Sequence, residues 1–366
     1  MKRIGVVFGT RPEVIKLFPL IKVMEEEKDI ELKIIFTGQH KEMAEDLFPV
    51  FQISPNYSLN IMKEKQTLSE ITERILEKLD KILMKERFDL VLVQGDTTTT
   101  FVSSLVSFYY KIPLAHVEAG LRTHNRYFPF PEEMNRTLVG KLATLHFAPT
   151  EIARENLLRE GVDEKNIFVT GNTVVDAVLK ILEMNRHPLF EIPNHRKLIV
   201  VTAHRRENWD KGLKNIALSI KEIALKFPEE VYFVFPLHKN PIVREKILPI
   251  ISNLSNVKIV EPLNYVDFVH LLKRSFLILS DSGGIQEEIP TLQRPMLLLR
   301  DETERPEAIE SGFVFLVGTK RERIVDEAIK IIKNGWKPRV KNNPFGDGRA
   351  SERILKIIKE YLYGNI

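Results

Sequence analysis

Asp96, Glu118, Glu132, Glu133, His204 and His238 are the side chains of this sequence best placed to move protons. Asp96 and Glu118 each follow an apolar run, in LVLVQGD and PLAHVE, where a carboxylate is costly without a cation or a reaction to serve. Glu132 and Glu133 follow the proline-rich FPFP, which fixes their approach. Acids that converge on one site can hold different protonation states at one pH, as general acid and base work requires. His204 sits in TAHRREN beside two arginines, and His238 in PLHKNP; a packed histidine is the ordinary reading of either. A metal is the competing use of such a set. No H-E-x-x-H or comparable ligand spacing occurs, and the neighbouring Arg and Lys residues disfavour a cation.

Two stretches suit an anion. In SDSGGIQEE, Ser282, Gly283 and Gly284 precede a helix start whose amides can face a phosphate, and the glycines allow close approach. Glu287 and Glu288, one turn on, would repel a phosphate but accept hydrogen bonds from a ribose diol. The plain alternative is a turn with an N-cap and a favourable dipole. Arg305, in DETERPE, adds a guanidinium suited to phosphate. In GTRPEVIK, Pro12 fits the first helical position, while Arg11 and Lys16 put cations where the helix dipole disfavours them. A bound anion would explain the placement; a solvated lysine is the alternative. Neither a dinucleotide fingerprint nor a P-loop is present.

A scaffold must gather these loops. Short apolar runs alternate with helical stretches: RIGVVF, ELKIIF, LVLVQ and IPLAHV, then KLIVV, VYFVF, NVKIV, FLILS and PMLLL. Most are apolar throughout, as strands covered on both faces of a parallel sheet are. The fold class is therefore α/β, twice over, and 366 residues exceed what one core usually serves. Polar ILEMNRHPLFEIPNHRK, with Pro188 and Pro193, reads as a linker near residue 190. Ligands of open parallel sheets bind outside the carboxyl ends of the strands, and the loaded loops all lie there, so opposed halves would line one cleft. With 43% hydrophobic and 28% charged residues the chain reads as an ordinary soluble protein. A net charge of +4 without long blocks of like charge argues against nucleic acid. The absence of cysteine excludes disulfides and thiolate chemistry. The first apolar run is broken by Gly5 and Gly9 and followed by Arg11 and Glu13, unlike a signal, and no window approaches a membrane span. The expected compartment is the cytoplasm.

FGTRPE, QGDTTTT, HVEAGLRT, PEEMNRT, TGNTVVDA, TAHRREN, SDSGGIQEE, RDETERPE and NPFGDG, in this order across almost the whole chain, resemble the non-hydrolysing UDP-N-acetylglucosamine 2-epimerases. The resemblance implies a GT-B-type fold of two Rossmann-like domains facing across a cleft. The N-terminal domain would span 1–175 and the UDP-binding domain 190–349, with a C-terminal helix at about 350–366 packing back on the first. It implies reversible conversion of UDP-GlcNAc to UDP-ManNAc at C2, by elimination of UDP to 2-acetamidoglucal and re-addition. No cofactor, metal, nucleic acid or membrane is expected, and the enzyme would be a homodimer. UDP would rest on Ser282, Gly283, Gly284, Glu288 and Arg305, with Arg11 and Lys16 approaching from the other domain. Phe268 would lie against the uracil and the backbone near Leu263 would read its edge. The matching catalytic positions are Asp96, Glu118, Glu132 and His204. Gln39, Arg74, Arg205 and His238 match positions where some members bind a second UDP-GlcNAc as activator. A GT-B glycosyltransferase, a hydrolysing epimerase releasing ManNAc and UDP, and a nucleotide-sugar sensor share the cradle and stay open as alternatives.

Overall fold

The computed structural model describes residues 1–63, 66–184 and 190–365, with 42 and 43 by backbone alone. Two compact units emerge: Met1–Ala177 with Phe345–Ile366, and Val178–Pro344. The stretch read as a linker lies partly outside the described residues, at 185–189, and its first three residues close the helix Thr173–Glu183.

The first unit holds β1 (Lys2–Phe8), β2 (Ile30–Phe36), β3 (Tyr57–Ser58), β4 (Leu90–Gln94), β5 (Leu114–Val117), β6 (Leu145–Ala148) and β7 (Ile167–Val169), in the order β3-β2-β1-β4-β5-β6-β7. The second holds β8 (Lys197–Thr202), β9 (Val231–Pro236), β10 (Val257–Val260), β11 (Leu277–Ser280), β12 (Met296–Leu298) and β13 (Val314–Leu316), in the order β10-β9-β8-β11-β12-β13. The strand pairings in both sheets are parallel, and β4 is buried along its whole length, as an apolar run covered on both faces must be. β3, β6, β7 and β13 go beyond the strands read from sequence. They have two to four residues each, too few to show a period, and β6 carries His146 at its centre.

Helices cover the sheets with faces set by their spacing. Ile71, Ile75, Leu79 and Leu83 line the buried face of the helix Leu68–Lys85, whose start is fixed by a Thr67–Glu70 capping box. In the second unit Leu213, Ile216, Ile220 and Ile223 of the helix Gly212–Lys226 join Ile199 and Phe233 in the core. The C-terminal helix Ala350–Leu362 packs on the helix Arg11–Glu25 within the first unit.

Candidate active site

Strand order in the first unit reverses between β1 and β4, a switch point at which open parallel sheets bind ligands. Glu13, 1% exposed, joins the loops on its two sides. One oxygen accepts from the Gly9 amide at 3.0 Å and the Thr10 hydroxyl at 2.7 Å; the other accepts from the hydroxyls of Thr97 at 2.9 Å and Thr100 at 3.1 Å. Burial raises its pKa, and these donors oppose the rise without cancelling it. Thr97 also caps the helix Thr98–Tyr109 through the Thr100 amide. Gln39 adds a second tie, accepting from the Thr99 amide and hydroxyl at 3.0 and 2.8 Å.

The acids stand on this frame. Asp96 meets Arg136 Nη2 at 2.6 Å, and Asn135 holds its carbonyl at 2.9 Å. Buried His116 bonds the Gly95 carbonyl through Nε2 at 2.8 Å, which requires the Nε2–H tautomer; burial pushes its pKa down to about 3, so the ring is neutral. Glu118 has φ 67°, a left-handed backbone that a non-glycine residue adopts only under constraint. Its carboxylate receives Lys16, Gln94 and, at 3.2 Å, Asn172. Lys16, expected beside an anionic ligand, is thus ion-paired with an acid of its own unit, because a buried carboxylate needs a cation.

Glu132 and Glu133, read together as acid candidates, separate. Glu132 opens the helix Glu132–Leu142 and is half-buried. Glu133, 3% exposed, accepts the amides of Thr123 at 3.1 Å and His124 at 2.9 Å and faces Arg136 at 3.6 Å. It is a clamp on the 118–131 loop. Arg11 is half-buried at the N-terminus of the helix Arg11–Glu25.

The second unit reverses strand order between β8 and β11. Asp281, fully buried at the end of β11, accepts from the amides of His204 and Arg205 at 3.0 and 2.9 Å and from Asn208 Nδ2 at 3.0 Å. His204 Nδ1 lies 3.6 Å from it. Asp281 therefore joins the TAHRREN loop to the Ser282–Gly284 turn. A Cβ at Gly283 would lie 3.1 Å from Arg205 Nη2, 3.3 Å from Arg305 Nη1 and 3.3 Å from Glu304 Oε1, so two guanidiniums converge over a glycine. Above Gly284, where the helix Ile285–Leu292 begins, the space is open. The Ser282 amide donates to Ser280 Oγ at 3.0 Å, and the Gln286 and Glu287 amides to the Gly283 and Gly284 carbonyls at 3.2 and 3.1 Å, so the Gly283 and Gly284 amides, beside the guanidiniums, are the ones at this turn suited to an anion. Arg305 is aimed by Glu287 at 2.6 Å and by Glu304. Burial alone would raise the Glu304 pKa, but Arg305 and Arg300 outweigh it and bring the group down to about 2.

Glu288 accepts the Tyr265 hydroxyl at 2.9 Å. Phe268 lies half-buried on the helix Tyr265–Arg274, just after half-buried Leu263. The rings of His204 and His238 stack, 5.5 Å apart and 12° from parallel. Arg205 and His238 thus share the second unit's switch-point region with His204, whereas Gln39 and Arg74 belong to the first, Arg74 bonding Gln66 at 2.7 Å. Among the described residues, no group of three or more His, Cys, Asp or Glu could hold a metal ion, and no helix is long and apolar enough to cross a membrane.

Sequence reasoning missed the clamps Glu13, His116 and Asp281 and the Glu118 partners Gln94 and Asn172. Glu13 in GTRPE reads as an ordinary acidic first-turn residue, and Gln94 and His116 as strand residues; only the pairing of distant loops reveals their work.

Comparison with known proteins converges with this geometry. The family model of UDP-N-acetylglucosamine 2-epimerase matches residues 22–359. A UDP-N-acetylglucosamine 2-epimerase of Escherichia coli is 47% identical over 366 residues, covering 96% of this chain and 97% of its own. The crystal structure of the Neisseria meningitidis UDP-GlcNAc 2-epimerase bound to UDP-GlcNAc superposes with a TM-score of 0.90 at 44% identity, covering 98% of this chain and 100% of that one. The Methanocaldococcus jannaschii enzyme in complex with UDP-GlcNAc and UDP gives 0.82 at 40% identity, covering 98% and 99%.

Proposed function

Because the chain belongs to the UDP-N-acetylglucosamine 2-epimerase family, we propose that it interconverts UDP-GlcNAc and UDP-ManNAc by eliminating UDP across C1 and C2 and adding it back. One observation carries the reading: one switch point gathers carboxylates, and the other gathers guanidiniums over a helix start.

In this reading the diphosphate takes the Ser282 side chain, the Gly283 and Gly284 amides and Arg305, with Arg11 and Lys16 as further cations. Glu288 accepts the ribose diol, Phe268 lies against the uracil, and the backbone near Leu263 reads its edge. A carboxylate removes the C2 proton, the C1–O bond breaks, and its electron pair leaves with UDP while the C1–C2 double bond of 2-acetamidoglucal forms. Re-addition of UDP at C1, with a proton delivered to the other face of C2, completes the inversion. Two faces call for at least two proton-transfer groups, and Asp96, Glu118 and Glu132 are the acids available. His204 serves the leaving phosphate oxygen. The reading takes the enzyme as a cytoplasmic homodimer, with Gln39, Arg74, Arg205 and His238 as contacts of a second, activating UDP-GlcNAc.

A proton NMR time course with UDP-GlcNAc as sole substrate tests it. A growing fraction of UDP-ManNAc is expected. Free ManNAc and UDP as the only products would assign hydrolysing chemistry, and turnover only after a sugar acceptor is added would assign a glycosyltransferase.

A further inference from the structure

Two sequence motifs, TGNTVVDA and NPFGDG, have no part in the mechanism above, yet the first meets the second from Phe345 onward within the first unit. Gly171 and Gly346 both have positive φ, 86° and 131°. A Cβ at Gly171 would lie 3.3 Å from Gly346 Cα and 3.3 Å from the Phe345 carbonyl oxygen, a gap that suits only glycine. The Asn172 amide donates to that carbonyl at 2.7 Å. A few residues on, Asp176 accepts the Ala350 and Ser351 amides at 3.3 and 2.8 Å, holding the start of the C-terminal helix. The returning chain is therefore bound edge to edge with residues 171–176.

This contact aims one side chain. Asn172 is 3% exposed, and its Oδ1 accepts the Val174 amide at 3.0 Å, which leaves Nδ2 to donate to Glu118 at 3.2 Å. The orientation of the amide is fixed by chemistry, since reversing it would set a donor against the Val174 N–H. Glu118 itself sits on a constrained backbone, with Lys16 reaching it from the helix Arg11–Glu25 and Gln94 from the end of β4.

We propose that Asn172 is a positioning residue for Glu118, and that the Phe345–Ser351 segment serves the site by fixing Asn172. The inference rests on the epimerase reading of Glu118 and deepens it: donors from separate elements aim the carboxylate, Lys16, Gln94 and Asn172 among them, and Asn172 is set by the C-terminal return of the chain.

Asn172→Asp gives the sharpest test. The new side chain keeps an oxygen for the Val174 amide and nearly the same shape, but turns an acceptor toward Glu118. Asn172→Ser is the second variant: its short hydroxyl still suits the Val174 amide and falls short of Glu118. Both are compared with wild type for UDP-GlcNAc turnover, UDP affinity by calorimetry, melting, and the carboxyl ¹³C resonance of Glu118 at one pH, identified by its loss in Glu118→Gln. Misplacing a reacting group costs about 10²-fold in rate, so kcat is expected to fall on that order while KM and UDP affinity hold and the Glu118 resonance moves. Wild-type kcat in both folded variants, or an unmoved resonance, overturns the proposal. So does a loss of kcat that only follows the loss of folded protein. Absence of turnover in the wild type would sink the epimerase reading instead, and the resonance would still decide whether Asn172 governs Glu118.

Discussion

At the switch point of the first unit the carboxylates of Asp96 and Glu118 are met by Arg136 and Lys16, whereas at that of the second the guanidiniums of Arg205 and Arg305 stand over Gly283 and Glu287 and Glu304 aim Arg305. The two places are topologically alike, each a reversal of strand order in a parallel sheet. In one, carboxylates are held by cations; in the other, carboxylates hold a guanidinium over a glycine. Each also commits a buried carboxylate to the backbone, Glu13 in the first unit and Asp281 in the second. The fold supplies the place, and the side chains at the strand ends decide its chemistry.

If that division is right, amide substitutions in the first unit strike turnover. Asp96→Asn, Glu118→Gln and Glu132→Gln are each expected to lower it by about 10²–10⁴-fold, with UDP affinity near wild type. Rapid-quench detection of glucal, UDP and both epimers, beside calorimetry, measures both quantities. Wild-type turnover in all three folded variants would erase the contrast.

The second unit is expected to answer in binding. Arg305→Ala removes a charge-assisted phosphate contact, so UDP affinity by calorimetry should drop by about 1.5–3 kcal/mol. Unchanged affinity would remove Arg305 from the cradle.

Acidity sharpens the comparison because the two units contain glutamates, buried Glu13 and half-buried Glu304, shifted in opposite senses. Glu304 is held down to about 2, so its contribution to stability is present above the ordinary carboxylate range and is lost as pH falls through about 2. Glu13 is shifted up by burial, so its ionisation works against the fold as pH rises beyond that range. In urea unfolding at stepped pH, Glu304→Gln should be less stable than wild type near neutrality, with the difference shrinking toward pH 2. Glu13→Gln should gain on wild type as pH rises above the ordinary carboxylate range, since its oxygen can keep the Gly9 amide and its NH₂ can donate to the Thr97 and Thr100 hydroxyls. Parallel pH profiles for the two variants would contradict the assignment.

The smallest effect is expected away from both switch points. Asp347 is lowered to about 2 by its hydrogen bonds to Arg353, against a small opposing effect of burial, but the pair is solvent-exposed. Asp347→Asn should therefore cost no more than about 1 kcal/mol, read from the same unfolding curves.

How much of this was legible beforehand depended on the kind of residue. Asp96, Glu118 and the Ser282–Gly284 turn follow long apolar runs, and a polar group at such a strand end is visible in one dimension. The clamp made by Glu133 was not, because Glu132 and Glu133 differ only in which way the first helical turn points them. Nor were the Glu118 donors: Gln94 and Asn172 lie 24 and 54 residues from it along the chain. The pairing of Lys16 with Glu118 escaped for the same reason, since a cation at a helix N-terminus is equally well explained by a ligand or by a distant acid. β7 and β13, three residues each and with half-buried or exposed positions, lack the continuous apolar run that marked the equally short β12.

The central claim is that acids of the first unit take the C2 proton and return one from solvent-exchanged groups. Running the conversion of UDP-GlcNAc in D₂O and reading C2 by NMR tests it most directly. The account predicts UDP-ManNAc carrying deuterium at C2; product that keeps the original C2 hydrogen would contradict it.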